Sequence, residues 1–407
     1  MKKILNKNIQ RIRNVGFDLF KDFYESEKSS GYLLILLTIF SMIIANSVIG
    51  SDYIKIWHSY VDLSFASIEL KYSLEHWIND GLMVIFFLLV GLEIEREIYI
   101  GELSSIKKAS LPAIAAVGGM LIPAAIHFMF NAGTYTQKGF GIPMATDIAF
   151  TLGVLALLGN RIPLSLKIFL TALAIIDDLG AIIIIALFYT NDLSMAYLLG
   201  SFAVFFILMI MNRLNVNRLS PYLLLGVVMW YLMLKSGVHA TISGVLLAFA
   251  IPFRKNSDNN ISYTLQERLH KPVAFFILPL FALVNTAILL PENISASLTT
   301  NNSFGIILGL VIGKPLGIFI FSYLAVKIGI GLLPEDLNWR MIFGAASLAG
   351  IGFTMSIFIT NLAFNSIEII IASKLSIIIA STISAVLGLL ILNPVFRNNK
   401  QIVSNVD

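Results

Sequence analysis

Apolar residues along this chain gather in runs far longer than strand alternation or the stripe of a surface helix requires. Twelve runs stand out, at roughly 31–50, 77–95, 109–130, 140–159, 162–189, 195–212, 219–236, 238–253, 272–291, 304–328, 341–363 and 369–396. A helix needs about eighteen or more apolar residues to cross a bilayer, and most of these runs have the length; the eighth is short. Mostly short polar segments separate them, as in a helical bundle. The pattern predicts an all-α polytopic membrane protein of twelve transmembrane helices. It divides the chain into an N-terminal segment (1–30), a single transmembrane domain (31–396) and a tail (397–407). One connection differs. Within residues 53–72, Asp62-Leu63-Ser64-Phe65 and Ile68-Glu69-Leu70 alternate in part, which reads as a small extramembrane β-hairpin or as an ordinary polar loop.

Composition agrees with a membrane solvent. Of the 407 residues, 57% are hydrophobic and 13% charged, against about 25% charged in soluble domains. There is no cysteine, which excludes disulfides, thiolate metal sites and cysteine nucleophiles. The net charge of +4 reflects loop lysines and arginines and does not point to nucleic acid. With the N-terminus inside, 22 of the 28 Lys/Arg fall on the cytoplasmic side, five outside and Lys314 within a span. The positive-inside rule therefore predicts both termini in the cytoplasm. No signal peptide is expected in residues 1–29, where Ile9, Ile12, Val15 and Phe17 alternate with charges; an interfacial amphipathic helix and a loose tail both fit.

Four ionisable residues lie deep in predicted spans: Asp147, Asp177, Asp178 and Lys314. Each costs roughly 2.5–3.5 kcal/mol at a helix centre, so four cost roughly 10–14 kcal/mol, comparable with the stability of a whole fold. Such groups persist when they pair, face water or carry function. A structural salt bridge with Lys314 could neutralise one aspartate, and two carboxylates would remain. Asp177 and Asp178 are neighbours, about 100° apart on a helix, and can line one cavity. Close, desolvated carboxylates bind protons more readily, and their oxygens are hard ligands suited to Na+ or Li+. A site that takes either a proton or a hard cation is the minimum for an antiporter.

Proline and glycine mark breaks in two spans. Pro143, three residues before Thr146 and four before Asp147, removes a helix hydrogen bond in the fourth span. Gly350 and Gly352 weaken the eleventh. Paired interruptions point to a transporter site near the midplane. There Asp147 could offset the positive ends of half-helices and Lys314 the negative ends. Gly309, Gly313 and Gly317 let another helix approach the tenth span closely. The adjacent Gly313-Lys314 is no phosphate loop, because Leu308 and Pro315 occupy positions that need glycine and Ser/Thr.

At these residues the sequence resembles the NhaA family of bacterial sodium/proton antiporters. The matching strings include Asn79-Asp80-Gly81-Leu82-Met83, Ala145-Thr146-Asp147-Ile148-Ala149-Phe150, Asp177-Asp178, Gly237-Val238-His239-Ala240-Thr241, Gly313-Lys314-Pro315-Leu316-Gly317 and Gly350-Ile351-Gly352-Phe353-Thr354, in family order. The resemblance implies inverted repeats of spans 3–5 and 10–12, within about 109–189 and 304–396, with discontinuous spans 4 and 11. It implies cation and proton binding at Asp177 and Asp178 with Asp147 and Thr146 nearby, and charge compensation by Lys314. It also implies exchange of two protons per Na+, a homodimer held partly by the hairpin, a place in the bacterial inner membrane, and no cofactor beyond transported Na+, Li+ and H+. A pH-responsive cluster is implied at Glu93, Glu97 and His270. Here Gln266 stands where an acid is common and Glu267 where a histidine is common. Glu267 and His239 join the candidate responders, although His239, like His127, also reads as a hydrogen-bonded packing residue.

The reading is therefore a Na+(Li+)/H+ antiporter, a secondary transporter and not an enzyme. The first rival is a sodium-coupled symporter of an organic anion, which would need more cationic groups in the membrane than Lys314. A cation channel would need a ring of ligands, usually from several subunits. An intramembrane enzyme would need a nucleophile or metal triad, and no HExxH pattern is present.

Overall fold

Peptide groups in a bilayer must bond to one another, so apolar runs of this length close as helices. The computed structural model describes residues 29–65, 69–190, 193–254 and 260–403, and it is predominantly helical. Among the described residues, seven helices are long and apolar enough to cross a membrane, or up to ten if three bent pairs each count as one. The expected N-terminal amphipathic segment lies almost wholly outside the described residues.

The elements run in order as follows. Helix α1 (Ser29–Ala45) turns by 113° into α2 (Gly50–His58). Strands β1 (Tyr60–Asp62) and β2 (Lys71–Ser73) precede α3 (Leu74–Tyr99), then α4 (Ile106–Asn131). A tightly wound 3-10 stretch (Tyr135–Met144) leads into α5 (Ile148–Ala156), and α6 (Leu164–Phe188) follows. Next come α7 (Met195–Arg213), α8 (Leu219–Ser236) and α9 (Ile242–Ala250). Helix α10 (Ile261–Pro272) passes through a π-helical turn into α11 (Leu278–Asn285). The short α12 (Ile294–Leu298) precedes α13 (Asn301–Ile328), α14 (Trp339–Ala349), α15 (Phe353–Ala363) and α16 (Ile367–Val403).

Several predicted boundaries move. The ninth run, expected at 272–291, is helical from Ile261 to Asn285. Asn260 caps α10 by accepting from Tyr263 N at 3.3 Å, and Ser262, Leu265 and Gln266 bury one face of that polar stretch. Hydropathy alone slides the window toward the apolar residues past Asn285. The eighth run holds only nine helical residues. The alternating stretch is a two-stranded antiparallel sheet pairing Tyr60 with Ser73 and Asp62 with Lys71, but residues 53–58 belong to α2. Trp77 Nε1 ties this sheet to α3 by donating to Val61 O at 3.3 Å. The tail begins as a continuation of α16 through Val403.

Packing sorts the helices into two groups. A small apolar cluster around Leu88, Leu208, Tyr222, Met229 and Leu247 binds α3, α7, α8 and α9, and α10 lies on α3. The second group contains α4–α6 and α13–α16. Each of its halves reads as a long helix, a bent pair, then a long helix. Helices α4 and α13 are in backbone contact: a Cβ on Gly317 would stand 2.1 Å from Gly118 O. Gly317→Val is expected to wedge them apart and lower thermal stability in detergent by about 1–3 kcal/mol or more. An unchanged melting temperature would contradict this packing.

Candidate functional site

The two predicted breaks meet. The 3-10 stretch bends by 46° into α5, and α14 bends by 44° into α15. Pro143 closes the first element, and Ala145 through Asp147 run extended. Gly350 and Gly352 loosen the second; a Cβ on Gly350 would stand 2.5 Å from Leu310 O. Breaking a helix orphans peptide groups, and here each break supplies the other's partners. Asp147 N donates to Ile351 O at 2.7 Å. Thr146 Oγ1 donates to Ala349 O at 3.0 Å and Thr151 Oγ1 to Leu348 O at 3.3 Å, at the C-terminal end of α14. Ser356 Oγ returns a bond to Ile142 O at 2.7 Å.

All four membrane charges converge on this crossing, and each is at most 3% exposed. Asp147 serves two helix N-termini at once. Its Oδ1 accepts from Phe150 N of α5 at 2.9 Å; its Oδ2 accepts from Thr354 N of α15 at 3.0 Å and from Thr354 Oγ1 at 2.5 Å. A carboxylate there opposes the partial positive charge of both ends. Lys314 Nζ lies 2.8 Å from Asp177 Oδ2 and also donates to Met144 O, the carbonyl end of the 3-10 stretch. Thr146 Oγ1 donates to Asp177 Oδ2 at 2.7 Å. Two oxygens are left over. Asp177 Oδ1 and Asp178 Oδ1 are buried without a hydrogen-bond partner among the described residues. A buried carboxylate oxygen without a donor is costly, so these atoms want a proton or a cation.

The residues read as pH-responsive divide between two places. Glu93 is buried on α3, where the Gln266 side chain bonds it and His270 Nδ1 comes within 3.9 Å. Glu97 pairs with Arg96 at 2.8 Å, and Glu267 is exposed. His239 lies elsewhere, with Nδ1 3.8 Å from Asp80 Oδ1, while His76 Nδ1 is 3.2 Å from Asp80 Oδ2. Asp80 and Glu93 are thirteen residues apart on one helix, or about 20 Å. His127 is a hydrogen-bonded core residue, 3.1 Å from Asn302 Oδ1. Sequence reasoning passed over Glu95, buried and accepting from Ser262 Oγ at 3.0 Å. It also passed over Asn285, Asn361 and Lys374, which share one buried network. A charge spaced two residues from Glu93 was the available signal for Glu95; the network gave none, because its members lie near span ends.

The family model described as Na+/H+ antiporter 1 matches residues 21–392. A relative from Flavobacterium psychrophilum, named Na(+)/H(+) antiporter NhaA, is 60% identical over 93% of this chain and 97% of its own length. Relatives bearing the same name from Dechloromonas aromatica and Cytophaga hutchinsonii are 58% and 57% identical, over 94% and 91% of this chain and 97% and 94% of theirs. With most of its length matched and its membrane charges gathered where two bent helices cross, the chain belongs to the Na+/H+ antiporter family.

Proposed function

We propose that this protein exchanges Na+ or Li+ for H+ across a bacterial inner membrane by alternating access, with Asp177 and Asp178 as the exchange site. The observation that carries the proposal is the pair of unpartnered buried oxygens, Asp177 Oδ1 and Asp178 Oδ1. Two carboxylates beside one lysine can take up two protons or one hard cation, which supports two protons per Na+. With all four groups ionised the cluster carries two negative charges, so a cation or protons are needed to reach balance. Sodium at Asp177 would compete with Lys314 for the same carboxylate, and release of the ammonium couples the two ligands. Asp147, with both oxygens already accepting, holds the crossing together and adds negative field. The antiporter names of the relatives favour this reading over the organic-anion symporter.

The repeated order of long helix, bent pair and long helix supports a core of inverted repeats, spans 3–5 and 10–12, within a domain at 31–396. On that reading the bent pairs are discontinuous spans 4 and 11. The α9 segment and the α10–α11 helix complete the twelve, and both termini are cytoplasmic. The hairpin then faces outside, where a second copy could pair with it, and Glu93, Glu97, Glu267 and His270 sit on the cytoplasmic side as candidates for pH response. During the cycle the second group of helices rocks against the first, so that Asp177 and Asp178 meet one side at a time.

In everted vesicles from cells lacking their own antiporters, NaCl and LiCl should collapse a proton gradient, and Asp178→Asn should abolish the response while inserting normally. Wild-type exchange by that variant would overturn the site assignment. Stability gives a separate measurement. Lys314→Met leaves Asp177 as an uncompensated buried charge and should destabilise by about 3–5 kcal/mol in thermal unfolding at alkaline pH. Adding Asp177→Asn should recover most of that loss; additive losses would show that the two groups do not act as a pair.

A further inference from the structure

A cavity of about 540 Å3 opens beside the hairpin and runs down between α3, α11, α15 and α16. Glu75, Asp80, Lys374 and three histidines line this vestibule, and Phe358 forms part of its wall. The Phe358 ring centroid lies 5.3 Å from that of Phe87 and 6.3 Å from that of Phe281, and all three rings are buried. Four residues back along α15 stands Thr354, hydrogen-bonded to Asp147. One helical turn and one layer of rings therefore separate the vestibule from the charged crossing.

Beside the rings lies a polar knot centred on Asn285, itself fully buried. Its Nδ2 donates to Asn79 Oδ1 at 2.8 Å and to Phe281 O at 3.0 Å. Its Oδ1 accepts from Asn361 Nδ2 at 2.7 Å and from Lys374 Nζ at 3.1 Å. The amide's whole bonding capacity is used, and it is divided by body. Asn79 belongs to α3 of the first packing group, and Phe281 to α11, which continues from α10 on α3 and also packs in the larger core. Asn361 and Lys374 belong to α15 and α16 of the second. Any movement of one group against the other must break the Oδ1 bonds and can keep the Nδ2 bonds.

The choice of groups also makes the knot releasable. An ammonium has three donors, and Lys374 is 6% exposed with its described bond to a neutral amide. The Glu75 charge on the same cavity attracts it without an ion pair among the described residues, so its desolvation is only partly compensated while the knot is closed. Opening toward the vestibule returns it to water, which offsets part of the loss of the two Asn285 bonds. A knot of apolar residues, or an ion pair, would be harder to reverse.

We infer that Asn285, Asn361 and Lys374 form the latch that closes the hairpin-side path to the Asp177–Asp178 site, acting as positioning residues for alternating access. The inference rests on the antiport reading. Removing a partner on the α15–α16 side weakens the closed state and shifts the population toward the form open at the hairpin. Apparent affinity scales with the fraction of molecules competent at that face. In proteoliposomes of defined orientation, Lys374→Met and Asn361→Leu should each lower the Na+ KM at the hairpin face by about threefold or more. The KM at the opposite face should rise. Damage to the fold would impair both faces alike, so equal changes at the two faces, or none, would overturn the latch.

A second readout does not depend on transport. The chain has no cysteine, so one introduced at Val284, a buried residue on the vestibule wall, reports alone. Its reaction with a membrane-impermeant charged thiol reagent added at the hairpin face should accelerate severalfold when combined with Lys374→Met. An unchanged labelling rate would overturn the latch. Accelerated labelling in a protein whose parent shows no Na+/H+ exchange would leave the latch standing and remove the antiport reading instead.

Discussion

A helix broken inside a membrane leaves peptide groups with no water to receive them, and two such breaks can persist only if they satisfy each other. In this chain they do so through a few bonds: Asp147 N to Ile351 O, Thr146 and Thr151 to the last carbonyls of α14, and Ser356 to Ile142 O. The geometry leaves two helix N-termini pointing at one spot and carbonyl ends close by. Asp147 answers the first and Lys314, through Met144 O, the second. Asp147 and Lys314 are there because the backbone is open there, while Asp177 and Asp178 reach the crossing from the unbroken α6.

The rest of the second helix group serves to hold this crossing rigid. The backbone contact between α4 and α13, made at Gly118 and Gly317, leaves no layer of side chains between them. Pro143 packs on Gly309, where a Cβ would come within 2.8 Å of the proline ring. Lys314 therefore enters the site from a helix pinned at both the 3-10 stretch and α4. A long flexible side chain is held in one place by its surroundings, and Oδ1 of Asp177 and Oδ1 of Asp178 stay without a hydrogen-bond partner among the described residues.

Much of this was legible in the sequence because it violates a rule there. Asp147, Asp177, Asp178 and Lys314 stand out against apolar neighbours, and Pro143 and Gly350 stand out against helical periodicity. Partners 203 residues apart, such as Thr146 and Ala349, were not legible, since backbone carbonyls have no sequence signal. Nor was the start of α10, where capping by Asn260 and burial of Gln266 extend a helix into a polar stretch that hydropathy rejects. Asn285, Asn361 and Lys374 looked like ordinary span-end polar residues, because only the tertiary fold brings them to one point.

The π-helical turn at Trp77–Leu82 opens α3, and the indole of Trp230 donates to the Asp80 carbonyl there at 3.2 Å. A π turn is an α-helix carrying one surplus residue. Its wide turn takes up that residue, so the faces before and after it stay in step. Deleting one residue within the turn would restore regular winding and leave Phe87, Glu93 and Glu95 on the faces they now bury. The same deletion in the regular helix beyond it would rotate every later side chain by about 100° relative to those before it. The turn is thus a place where α3 can change its count by one residue and keep its buried faces.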